Sequence, residues 1–247
     1  INGSTHAREW LTTNLLMHQI DEYSQAYVRN QKIKGYDVRE LLNNVSIYYV
    51  PMVNPDGVTL VQQGPYALSN SSELIRMNGG STNFRHWKAN ANGVDLNRNY
   101  PLGWNERLLG DPGRPASQNF KGYKPLSEPE SQALADFTRK HDFKSAVSYH
   151  SSGEVLYWEY GQGKTRDRLR AFAQLIRRET GYPLVPSLYS GGGYYTHWYS
   201  NLTGNPSATP EISPYIGNRP VPISNYDRIW NQNKAIGLLL ADEAYRR

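Results

Sequence analysis

The fold is read from "KSAVSYHSSGEVLYWEYGQGKTRDRLRAFAQLIRRETG", residues 144–181. Two runs rich in β-branched and aromatic residues, "KSAVSYH" (144–150) and "EVLYWEY" (154–160), are strand-like. They lead into "KTRDRLRAFAQLIRRETG" (164–181), an amphipathic helix closed by Gly181. Upstream, Leu11, Leu15, Leu16, Ile20 and Tyr23 follow helical spacing over 9–29. "VSIYYVPMV" (45–53) reads as a buried strand, ended by a turn at "NPDG". "SEPESQALADFTRKH" (127–141) starts with Ser127 and has Glu130 three residues on, which predicts a capping box and a helix. "SATPEIS" (207–213) is a short strand, and 226–246 forms a C-terminal helix. Strands alternating with helices imply an α/β sandwich with helices on both sheet faces. Three stretches fit neither period: 62–99, 101–125 and 213–225. Loops of that length inside a compact domain usually form functional walls or lids. No linker-like composition divides the chain, so residues 1–247 are expected to form one domain.

Bulk properties narrow the function classes. The 247 residues contain no cysteine, which rules out disulfides, thiolate metal sites and a cysteine nucleophile. The net charge of +5 comes from dispersed basic residues, without the run that marks a nucleic-acid partner. Such a charge is compatible with attraction to a polyanionic surface such as a bacterial wall, and equally with simple solubility. No apolar run approaches the roughly 18 residues of a membrane span, and residues 1–247 carry no signal-peptide pattern, which leaves open a targeting segment ahead of "INGSTH". The compartment stays open between secretion to the wall and the bacterial cytoplasm.

Chemistry enters at "THAREW" (5–10). His6 and Glu9 are three apart, so on a first helical turn both project to one side and could reach one cation. Alone, the pair reads equally as a solvated histidine beside a glutamate that complements a helix dipole. His150 ends the apolar run "SAVSY" at a strand end that points into a loop. Two imidazoles and one carboxylate, with no thiolate, suit zinc with an open fourth position.

Seven motifs occur in order: "HAREW" (6–10), "NPDG" (54–57), R-x-W-K (85–88), "GVDLNRNY" (93–100), "SYHSSG" (148–153), "LYSGGGYYTHW" (188–198) and "TPEIS" (209–213). Together they make the chain resemble the zinc carboxypeptidase family, the group of carboxypeptidases A, B and T. The resemblance implies a three-layer α/β/α sandwich around a mixed, mostly parallel twisted sheet. It implies one zinc ion held by His6, Glu9 and His150, with Glu211 as the general base that takes a proton from zinc-bound water. Asn97 and Arg98 match the pair that grips a substrate's free C-terminal carboxylate, for which the planar guanidinium fork is suited. Tyr189 matches a tyrosine that closes over the substrate, and Arg8 and Arg85 fall on the substrate side. Family catalytic domains carry a helix and strands before the position of His6, so an N-terminal portion is expected to be missing. Ser213–Pro214 falls where relatives have a cis peptide, which predicts a cis bond there.

Departures from the pattern carry the specificity. Lys88 stands where pancreatic-type enzymes have an arginine that stabilises the oxyanion; it keeps the charge and loses the fork. Lysine here resembles the bacterial branch containing γ-D-glutamyl-L-diamino-acid peptidases, which act on peptidoglycan stem peptides. Thr196 occupies the position that separates apolar from basic specificity, and His197 is a candidate contact for the distal carboxylate of diaminopimelate. Ser152 replaces a tyrosine that contacts more distant substrate residues. The leading expectation is therefore a metallopeptidase acting on the γ-D-glutamyl–diaminopimelate bond. The alternatives are a carboxypeptidase of mixed specificity and a catalytically inactive wall-binding protein.

Overall fold

The computed structural model describes residues 1–106, 110–186 and 192–247. A 3-10 turn at Ala7–Glu9 leads into α1 (Leu11–Arg29), and a small hairpin of β1 (Lys32–Ile33) and β2 (Tyr36–Asp37) precedes α2 (Val38–Asn44). Then come α3 (Pro55–Gln63), α4 (Ser71–Met77) and α5 (Pro129–Arg139). The main sheet is built from β3 (Ala146–Val147), β4 (His150–Ser151) and β5 (Val155–Tyr157), then, beyond α6 (Gly163–Thr180), β6 (Leu184–Val185). After α7 (Tyr195–Thr203) the last strand, β7 (Ser207–Ile212), is followed by α8 (Tyr226–Asn233) and α9 (Ile236–Tyr245).

β7 is the centre of the sheet. It pairs in parallel with β3 and β4 on one side and antiparallel with β5 on the other, and β5 pairs in parallel with β6. Side-chain alternation divides the core between the two faces. Val147 and Tyr149 pack with Leu11, Leu15, Phe172, Ile176, Ile236 and Leu239, from α1, α6 and α9. Ala146 faces the other way, against Leu134, Tyr195 and Trp198 of α5 and α7. Helices thus cover both faces of a mixed, mostly parallel sheet, as the alternation of elements predicted.

Several local expectations change. Residues 45–53 form no ladder; a single parallel bridge joins Val50 to Asn2, which also bridges Ser148. "NPDG" is a helix start, not a strand-ending turn. Asn54 Oδ1 accepts the Gly57 N–H at 3.0 Å and Pro55 takes the first helical position, where its missing N–H costs nothing. The capping box at Ser127 does not form. Glu128 takes the N-cap position of α5 without a side-chain cap, and the Ser127 hydroxyl donates to the Glu128 carboxylate at 2.7 Å. The C-terminal helix is broken between α8 and α9 because α1 captures its carbonyls: Gln19 Nε2 donates to Asn233 O at 2.8 Å, and the Tyr23 hydroxyl to Lys234 O at 2.7 Å. Ser213–Pro214 is not cis. The chain turns there through Ser213 at φ +70°, and the cis bond among the described residues is Ser151–Ser152.

Candidate metal centre and active site

His6 and Glu9 lie on the turn between the first bridged residues and α1, and a buried asparagine fixes that turn. Asn54 Nδ2 donates to the carbonyls of Thr5 (3.2 Å) and Ala89 (3.1 Å) while its oxygen caps α3. The Ala7 N–H donates to Lys88 O at 3.1 Å, so the "HARE" and "HWK" segments are held together. His150 comes from β4, opposite Glu211 on β7.

These elements bring His6 Nδ1 to 2.9 Å from Glu9 Oε1, His150 Nδ1 to 2.9 Å from Glu9 Oε2, and the two Nδ1 atoms to 3.0 Å from each other. All three side chains are buried, and among the described residues they form the one cluster able to hold a metal ion. The outward nitrogens have their own partners. His6 Nε2 lies 3.0 Å from Asp95 Oδ1, and His150 Nε2 lies 3.4 Å from Ser148 Oγ. A His6 proton donated to Asp95 leaves the inward Nδ1 lone pair available as a ligand. Two inward imidazole nitrogens and one carboxylate fit zinc with an open coordination position.

The electrostatics fit a cation. Burial alone would raise the Glu9 carboxyl, but the charges and hydrogen bonds of His6 and His150 hold it well below the usual carboxylate range. Asp95 is fully buried. Its desolvation is outweighed by Lys88, whose Nζ lies 2.9 Å from Oδ2, by His6, and by Arg98 at 3.8 Å, so it stays ionised. Glu211 goes the other way. Burial and then the negative charge of Glu9 push its carboxyl up to about 7, against the opposing pull of His150, Lys88 and Arg8.

A cavity of about 220 Å³ opens on this cluster, with Lys88, Asn97, Arg98, Thr196, His197 and Glu211 in its wall. Asn97 is oriented by accepting the Tyr195 N–H at 3.2 Å, and its own N–H is capped by Asp95 Oδ1 at 3.1 Å. Thr196 Oγ1 lies 3.2 Å from Thr209 Oγ1, giving the cavity a hydroxyl-bearing floor. His197 is buried between Tyr160 and Tyr194. Ser152 Oγ accepts the Ile216 N–H at 3.1 Å. Two residues stand apart from the cavity. The Arg8 guanidinium donates to His86 O (2.9 Å), Gln118 Oε1 (3.3 Å) and Asn218 Oδ1 (3.1 Å), tying three loops together. Arg85 is exposed. Tyr189 lies outside the described residues. A larger hollow of about 400 Å³, between residues 45–48 and 142–146, is lined mainly by apolar side chains and brings no metal-ligating cluster together.

Sequence reading missed Asp95 and Asn54 as parts of the site, although both lie in quoted motifs. The available signal for Asp95 was an acid inside the otherwise apolar "GVDL". A buried carboxylate there needs a cationic or imidazole partner.

The family model described as "Zinc carboxypeptidase" matches residues 1–211. The chain belongs to the zinc carboxypeptidase family. Among its relatives, the γ-D-glutamyl-L-diamino acid endopeptidase 1 of Lysinibacillus sphaericus is 36% identical over 97% of this chain and 59% of its own length. The YqgT protein of Bacillus subtilis is 33% identical, over 96% of this chain and 62% of that protein. This zinc carboxypeptidase chain thus spans about six-tenths of the length of those two relatives. The crystal structure of thrombin activatable fibrinolysis inhibitor shares the fold, with a TM-score of 0.76 at 22% identity, over all of this chain and 61% of that one. The cofactor of that family is zinc, and His6, Glu9 and His150 are the residues of this chain that can hold it.

Proposed function

We propose that the chain hydrolyses the peptide bond next to a free C-terminal residue, and that its substrate is a peptidoglycan stem peptide cut between γ-D-glutamate and diaminopimelate. The observation that carries the reading is the convergence on one cavity of the His6–Glu9–His150 cluster, Glu211 opposite His150, and the Asn97–Arg98 pair. His6 Nδ1, Glu9 and His150 Nδ1 would hold the zinc ion, which would supply Lewis acidity toward the scissile carbonyl and lower the pKa of water toward neutrality.

The chain's own groups do the rest. Glu211, with a carboxyl near 7, can take a proton from the attacking water and return it to the leaving amine, since its affinity for the proton is balanced at neutral pH. Lys88 places an ammonium in the cavity wall to meet the negative charge that grows on the carbonyl oxygen. Asn97 and Arg98 hold the terminal carboxylate and so set which bond reaches Glu211. The Thr196–Thr209 floor offers hydroxyls to a polar, zwitterionic side chain such as that of diaminopimelate, where a carboxypeptidase for apolar residues would need an apolar floor. The name of the Lysinibacillus relative, an endopeptidase for γ-D-glutamyl-L-diamino acids, supports the same substrate class.

The test compares turnover of L-Ala-γ-D-Glu-meso-diaminopimelate with that of blocked dipeptides, products being identified by mass spectrometry. The tripeptide should be cut at the γ-glutamyl bond and preferred. Preference for the dipeptides would overturn the wall-peptide assignment. In Glu211→Gln the rate should fall by about 10²- to 10⁴-fold with zinc still bound; retained activity would remove Glu211 from its role.

A further inference from the structure

The net positive charge, expected from the sequence to come from dispersed basic residues, is in fact gathered on helix α6. Lys164, Arg166, Arg168, Arg170, Arg177 and Arg178 stand against only Asp167 and Glu179, a net +4 on one helix of a chain whose total is +5. All six cations are exposed, while Leu169, Phe172, Ala173 and Ile176 face the core. At about 100° per residue, Arg166, Arg170 and Arg177 fall within about 40° of one line along the helix, rising by about 6 Å and then about 10 Å. Of the two acids, Glu179 is bonded to Lys34 at 2.7 Å. Arg166 is paired with Glu159 at 2.6 Å. No acid among the described residues lies within ion-pairing distance of Lys164, Arg168, Arg170, Arg177 or Arg178.

The position of this face matters as much as its charge. Tyr157 and Trp158 line the catalytic cavity, and α6 follows them after a short turn. The Arg166 guanidinium lies 5.9 Å from the centre of the Trp158 ring. The cationic stripe therefore starts at the outer side of the cavity wall and runs away from it for the length of the helix, about 27 Å.

We propose that the outer face of α6 binds a linear phosphodiester polyanion of the bacterial wall and so holds the catalytic cavity against its matrix. The proposal rests on the wall-peptide reading for the identity of the polymer. Guanidinium forks match phosphate oxygens, and a row of them suits a chain of repeating phosphates better than a single anion. An anionic membrane is the poorer fit: none of the exposed large apolar side chains of the protein lies on α6, whereas interfacial helices insert such residues beside their cations.

Binding to immobilised poly(glycerol phosphate) teichoic acid tests the proposal across a salt series. The variant carries Lys164→Gln, Arg170→Gln, Arg177→Gln and Arg178→Gln, all exposed positions away from the catalytic cavity. It should bind at least 10-fold more weakly and with a shallower dependence of log K on log salt, because fewer phosphates are neutralised. A companion with the three arginines changed to lysine should keep most of the binding, and matching thermal melts show that all three proteins are folded. Equal polymer affinity for the wild type and the glutamine variant would overturn the proposal. So would wild-type binding to phosphatidylglycerol vesicles or to duplex DNA as tight as to the polymer. Cleavage of the soluble tripeptide is read in parallel and should be the same in all three; its failure in the wild type alongside intact polymer binding would count against the substrate reading and leave the polyanion face standing.

Discussion

Asp95 shows how much a site can depend on a fully buried carboxylate beside its metal ligands. Its two oxygens divide their work: Oδ1 meets His6 Nε2 at 3.0 Å and Oδ2 meets Lys88 Nζ at 2.9 Å. The first contact fixes the ring and its tautomer, which keeps Nδ1 pointing at Glu9 and His150. The second keeps a fully buried carboxylate ionised. Asp95→Asn preserves the shape but removes the negative charge, so His6 loses basicity and Lys88 loses its counter-ion. Zinc affinity should drop by about 10- to 100-fold, measured by competition with a chromophoric chelator. An unchanged dissociation constant would mean that Asp95 only fills space. His6, Glu9, His150 and Glu211 could be picked out in the sequence because their motifs carry the family resemblance. Asp95 could not be given a role from "GVDL" alone, since His6 lies 89 residues away and the contact with Lys88 depends on how the loop between them folds back.

At the scale of elements, the site depends on close contacts between loops that have no period of their own. Gly193 has φ +74°, and its backbone lies so near residue 98 that an added Cβ would sit 2.3 Å from the Arg98 carbonyl oxygen and 2.6 Å from its carbonyl carbon. Its carbonyl also accepts the Tyr100 N–H at 3.0 Å, and its N–H donates to Leu102 O at 2.9 Å. Gly193→Ala must push the 192–194 segment away from 97–102, because the clash is with backbone and no side chain can yield. The left-handed conformation adds a penalty of about 1–2 kcal/mol for a residue with a Cβ. The expected outcome is a lower urea midpoint together with a KM raised more than kcat is lowered, since the Arg98 side would move and Glu211 would not. A KM equal to that of the wild type would separate this contact from substrate binding. The same contacts explain what the sequence hid. Periodicity located α1 and α6 because a buried face imposes a repeat, whereas α5 was placed from a capping box that does not form, and β7, buried along nearly its whole length, shows no alternation. "NPDG" was ambiguous because Asn–Pro opens a turn and a helix alike, and the burial of Asn54 between Thr5 and Ala89 decided for the helix. The break between α8 and α9 depends on Gln19 and Tyr23, more than 200 residues earlier in the chain, and no local pattern announces it.

Across the whole molecule, the metal ligands join parts of the chain that the sheet alone connects loosely. Asn2 links Val50 of the 45–53 segment to Ser148, between β3 and β4, through single bridges, and His6 and Glu9 follow a few residues later. His150 sits on the two-residue strand β4. Without a cation, three buried polar side chains share a space in which the two Nδ1 atoms stand 3.0 Å apart and can share only one proton between them. A cation resolves that conflict and pins the start of α1 to the centre of the sheet, so the folded state should gain its full binding free energy. With free zinc at about 1,000 times the dissociation constant, that gain is about 4 kcal/mol. For a chain of this size each kcal/mol moves the melting temperature by about 2–4 °C. Chelation should therefore lower the melting temperature by about 10 °C in differential scanning calorimetry, and adding back one equivalent of zinc should restore it. His150→Ala should melt at the lower temperature with or without zinc, because removing one of three ligands leaves too weak a site to hold the ion. If the wild type melted at one temperature in both conditions, the centre would not join the two parts of the fold, and the short strands around His150 would owe their order to the β7 ladder alone.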